Sequence, residues 1–321
     1  FLDIFDKISY KNNTTERKIY KNIFKEMVVA NKKYKSSKSI QKNIKEIKSQ
    51  EEIPNCGLND NKFMSKGIKE IIYTKSTGLL TVTNKIQGVN ITLYFLLFNG
   101  DKNIDDSYID QIFIFLNFIL DIGTQVKSLT YYLYLTDEKK TLPINSINIL
   151  GGENCNSGVT YGCTENGSVL IYRKEEWFKV LIHETFHSLC LDFNNMHLEN
   201  LNKKMAGLIS IKSEYNLFEA YTETLATILN SCFVSFKLIN YKPNKRKDFL
   251  SYLDFCLHTE RIHSLYQCVK VLDYMGLTYE IMIKNKKNNY NENTNVFAYY
   301  IIKCILLYYK GDFLEWCQNN N

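Results

Sequence analysis

His183, Glu184, Thr185, Phe186 and His187 form a His-Glu-x-x-His run inside the apolar stretch that opens at Trp177. On a helix, residues four apart share a face, so His183 and His187 can direct an imidazole nitrogen at one cation. Glu184 is turned about 100° away from His183. Its carboxylate therefore stands beside a metal-activated water rather than on the ion, the place of a general base. The chain has only five histidines, which weighs against coincidence. The plainer alternative is a pair of hydrogen-bonded core histidines. Trp177, Phe178, Val180, Leu181, Ile182, Phe186 and Leu189 make the helix apolar on most sides, and polar groups on a buried helix need partners.

A third metal ligand must come from elsewhere. A third histidine six residues past the second is excluded, because Phe193 stands there and Cys190 replaces the glycine that would bend the chain. Asp192 and His197 could ligate only through an irregular turn at the helix end. Downstream, Glu219 and Glu223 are the only charged residues between Tyr215 and Phe236, four apart on a segment with helical periodicity. Two like charges on an apolar helix are costly unless something cationic or hydrogen-bonding meets them. An ion and one of its imidazoles would do so. Glu219 is thus assigned as third ligand, and Glu223 as acceptor for the other ring nitrogen of a ligand histidine. Glu214 is the weaker metal alternative, and neutralisation of the pair by Lys or Arg, or exposure of both acids, stays open.

With these residues the chain resembles the zincin metallopeptidases, and among them the gluzincins, whose third ligand is a Glu on a second helix in a Glu-x-x-x-Asp/Glu pattern. Glu219-Ala220-Tyr221-Thr222-Glu223 is similar to that pattern, although Glu219 follows His187 by 32 residues, a longer interval than in the thermolysin-like branch. The run from Tyr172 to His187 also resembles uncharacterised metallopeptidase-like proteins of large cytoplasmic DNA viruses. The resemblance implies Zn2+ as cofactor, a peptide or protein substrate, and a host-cytoplasmic or virion setting.

A zincin cleft also requires an antiparallel edge strand above the metal, on which an extended peptide adds as a further strand. Residues 156–163 and 168–173 flank Asn166-Gly167, a strong hairpin-turn signal, and the second strand runs into the metal helix. Ser157, Gly158 and Val159 on the first strand are the expected substrate-binding residues. Upstream, residues 78–83, 90–98 and 129–135 read as strands and 109–123 as a helix; further helices are expected over 15–30, 39–48, 247–275 and 294–309, with an exposed Asn- and Lys-rich loop over 284–295. The expected fold is α+β: a zincin-like mixed sheet with an antiparallel edge strand and active-site helix over 76–190, then a helical subdomain over 191–321 that supplies the third ligand. His258, His263, Tyr215 and Tyr221 are candidates for stabilising an oxyanion, with none assigned.

At 321 residues and 45% hydrophobic, the chain can bury a large core. Residues 1–75, a basic and largely helical N-terminal segment, hold 17 basic against 9 acidic residues, a net of +8 in a chain whose total is +6. A single Arg there and no nucleic-acid motif argue against DNA or RNA as partner. No stretch has the length and apolarity of a transmembrane helix, and no signal peptide is visible. Nine cysteines without Cys-x-x-Cys spacing suggest reduced, mostly buried thiols and an intracellular setting, with a Cys155–Cys163 bridge conceivable but not expected. Oligomeric state is not legible. The competing function is a catalytically silent zincin-fold scaffold, such as a virion component; a cleft plugged by the N-terminal segment would fit that reading or a latent enzyme.

Overall fold

The computed structural model describes residues 14–37, 40–57, 60–122, 126–144, 149–193, 196–284 and 290–320. Residues 1–13 of the basic segment, Ser39 at the start of the expected 39–48 helix, Gly123 at the end of the expected 109–123 helix and residues 285–289 of the expected loop lie outside the described residues.

The first described element is helix α1 (Thr14–Ser36), whose Tyr20, Phe24, Met27 and Ala30 recur at helical spacing and enter the core. Strand β1 (Gln41–Glu46) follows, then α2 (Lys66–Lys75), β2 (Ser76–Ile86), β3 (Val89–Phe98), α3 (Asp106–Ile119) and β4 (Ser128–Thr136). Next come β5 (Leu150–Gly151), the single turn α4 (Gly152–Cys155), β6 (Gly158–Tyr161), β7 (Asn166–Arg173) and α5 (Trp177–Ser188). The remainder is helical apart from β8 (Glu292–Asn293): α6 (Glu199–Leu208), α7 (Leu217–Leu238), α8 (Arg246–Tyr274), α9 (Tyr279–Lys284), a π-helical segment Phe297–Ile302 that runs into α10 (Lys303–Tyr308), and α11 (Lys310–Asn320).

Among the described residues, six strands form one mixed sheet in the order β1-β2-β3-β4-β7-β6. β3, β4 and β7 are parallel, while β1 and β6 close the two edges in antiparallel pairing. The α+β class, the mixed sheet with an antiparallel edge and the helical C-terminal region are as expected. Alternation splits each inner strand between two layers. Val169 and Ile171 of β7 face the core shared with α1, α3, α5 and α7, and Leu170 and Tyr172 face Ile68 and Ile72 of α2. The second face is therefore covered as well, by a helix that the sequence pattern did not announce.

Four expectations need correction. The loop expected to be exposed over 284–295 holds, where it is described, the buried Tyr290 and Glu292 and the short strand β8. The segment expected as a 39–48 helix is strand β1 where it is described, paired from Gln41 against Thr83 to Glu46 against Gly78. Its six residues are all exposed, so no buried face sets a helical period, and its lysines suit a solvent-facing edge. Asn166-Gly167 is not the hairpin turn; both residues lie in β7, and residues 162–165 make the connection. Gly167 is needed for close approach, since a Cβ there would stand 2.4 Å from Ser188 Oγ and 2.6 Å from Leu129 Cδ2. Finally, Cys163 and Cys190 are disulfide-paired with Cα atoms 5.1 Å apart, so reduced thiols are not universal; the other seven cysteines, Cys155 included, form no disulfide. The turn packs on the end of α5, where a Cβ on Gly162 would meet the His187 carbonyl at 2.7 Å, and this carries Cys163 to Cys190.

Candidate metal centre

Two helices bring the site together, and each begins after a left-handed residue: Glu176 (φ 57°) before α5 and Asn216 (φ 41°) before α7. Asn tolerates that conformation. Asn216 is further held by donating from Nδ2 to Asn295 Oδ1 at 2.8 Å. Glu176 is held by Lys179 at 2.9 Å and Lys140 at 3.2 Å.

His183, His187 and Glu219 converge, as expected, into a group that could hold a metal ion. The two histidine Nε2 atoms are 3.0 Å apart, and Glu219 Oε2 lies 3.1 Å from that of His183 and 3.3 Å from that of His187. Ligation at about 2.0–2.1 Å in a tetrahedron separates donors by about 3.3–3.4 Å, so two imidazole nitrogens and a carboxylate oxygen in this triangle fit a small divalent cation. Burial alone would push the Glu219 carboxyl up, but hydrogen bonds from His183 and His187 bring it down to about 2. Burial lowers the His187 imidazole, and Asp192 and Glu219 more than reverse this, to about 10.

The outer ring nitrogens are held too. His183 Nδ1 is 3.1 Å from Glu223 Oε2. His187 Nδ1 pairs with Asp192, whose side chain is buried. Asp192 thus orients the His187 ring, and its position five residues past His187 was visible in the sequence. His197 and Glu214 are exposed and belong to no such group among the described residues.

Glu184 lines a cavity of about 230 Å³ together with His183, Ser157, Gly158, Lys179 and Tyr299. Its burial raises the carboxyl above the ordinary range. Ser157 and Gly158 line this cavity, and β6 is a sheet edge; Val159 packs instead against the cluster on the far sheet face. No described residue before Lys140 lines the cavity, so α1 and β1 do not plug it.

Of the four oxyanion candidates, Tyr215 donates to the Ile209 carbonyl at 2.8 Å, Tyr221 packs in the core against Phe193 and Phe313, and His258 is exposed. His263 lines the cavity. The residue that the sequence did not reveal is Tyr299, which donates to Glu219 Oε2 at 3.1 Å. One tyrosine among 23, on a distant helix, gives no local signal. Glu223 is neutralised by Lys179 and Lys303, as the alternative of neutralisation by Lys or Arg had it, and a lysine inside the apolar run Trp177–Ile182 was a visible sign of a buried partner. Comparison with protein-family models, with curated proteins and with solved structures finds no match.

Proposed function

We propose that the chain is a zinc-dependent peptide hydrolase of zincin type. The observation that carries this reading is the closed triangle of His183, His187 and Glu219, with Glu184 on the cavity wall beside the sheet edge formed by β6. Two imidazoles and one carboxylate are a donor set that zinc accepts while leaving a position open. When bound, zinc would polarise a substrate carbonyl and make water a stronger acid.

The protein's own groups supply the rest. Glu184 takes a proton from the attacking water and returns it to the departing amine nitrogen, and its raised pKa suits both transfers. The exposed edge of β6 accepts an extended peptide as an added strand. Tyr299 lines the same cavity, and by turning its single proton from Glu219 to the carbonyl oxygen it would stabilise the negative charge developing there. Glu184→Gln should retain one zinc per chain by elemental analysis while losing about 10²–10⁴-fold in kcat on an unstructured protein substrate. Wild-type turnover in that variant would end the proposal.

A further inference from the structure

Glu223 is buried, and its two oxygens are used differently. Oε2 faces His183 Nδ1 at 3.1 Å. Oε1 accepts from Lys179 Nζ at 2.6 Å and from Lys303 Nζ at 3.2 Å, and both lysines are themselves buried. With Oε1 held by two ammonium groups, the carboxylate cannot rotate away from His183. Nδ1 of His183 is then committed to Glu223, and Nε2 is left to the triangle with His187 and Glu219.

One spacing recurs in three places. Lys179 and His183 on α5, Glu219 and Glu223 on α7, and Tyr299 and Lys303 where the π-helical segment enters α10 are each four residues apart. Tyr299 meets Glu219 where Lys303 meets Glu223. Buried ion pairs are poor devices for stability alone, since apolar replacements often do as well. Their use next to a metal ligand points to orientation.

We infer that Lys179 and Lys303 are positioning residues that fix His183 for metal binding by locking Glu223; this rests on the metallopeptidase reading above. Lys303 thereby makes the metal site depend on the docking of α10.

The test is a double-mutant cycle on the full chain, with zinc(II) affinity measured by chelator competition. Lys303→Met should weaken zinc binding about tenfold or more, the scale typical of partners that orient ligands. Lys303→Arg should recover most of that loss. On a Glu223→Gln background, Lys303→Met should add less than about twofold, because the path through Glu223 is already broken. Wild-type affinity in Lys303→Met, tighter binding, or effects that multiply in the double variant would each overturn the inference. Should Lys303→Met not fold, Lys303→Gln carries the same cycle with the same meaning for each outcome, whereas Lys179 also holds Glu176 and cannot stand in for it. A wild-type chain that takes up no zinc removes the metallopeptidase reading itself, whereas a zinc-loaded, active wild type with an unaffected Lys303→Met removes only the lysine lock.

Discussion

Gly158 and Glu184 face each other across the gap between the sheet edge and α5: a Cβ on Gly158 would lie 3.1 Å from Glu184 Cγ. The same Cβ would stand 2.8 Å from Val180 Cγ1 and 3.0 Å from the Leu170 carbonyl. No side chain fits without moving the strand or the carboxylate. Gly158→Ala should therefore lower kcat about 10–100-fold with zinc content unchanged, since small misplacements of a catalytic group are costly. Steady-state kinetics with metal analysis checks this; full activity in the variant would show that Glu184 does not need the glycine.

Asp192 holds Nδ1 of His187 as Glu223 holds that of His183. Asp192→Asn should weaken zinc binding about 10–100-fold, read by chelator competition. Binding equal to wild type would mean that the His187 ring is oriented by packing alone.

Gly167 touches Ser188 and Leu129 where β7 passes the end of α5. Gly167→Ala should destabilise the fold by roughly 1–3 kcal/mol through overpacking. Urea unfolding would detect it, and an unchanged midpoint would place the local backbone elsewhere.

Buried Glu292 is raised to about 7: burial pushes its carboxyl up, and hydrogen bonds from Tyr290 and the Phe297 N–H only partly offset this. An unfolded Glu titrates at about 4.3. Between these values the folded chain binds more protons than the unfolded one, so this group's contribution is complete below about 4.3 and is lost as pH rises through about 7, on the order of 3 kcal/mol. Glu292→Gln should flatten that part of the stability curve in denaturant titrations at several pH values. An identical slope in wild type and variant would contradict the assignment.

The two histidines, Glu184 and both α7 acids were legible because each sits in a local pattern, and Glu219 and Glu223 were further marked by being charged on an apolar helix. The hairpin was read from Asn166-Gly167 between two strand-like runs, and its turn was misplaced because that pair serves packing against α5 rather than chain reversal. β1 was misread because an exposed edge strand carries no apolar face. Tyr299, Lys303 and the Cys163–Cys190 pair are products of tertiary approach, and no spacing in the chain announces them.

Because the two helices with the imidazoles and acids draw Tyr299 and Lys303 from far downstream, the order of synthesis matters. A ribosome that has delivered α5 and α7 has released all three candidate ligands, yet the hydroxyl and the second ammonium are still to come. The polar frame around the candidate site is completed only after α10 has been made, when the sheet beneath it has had time to form.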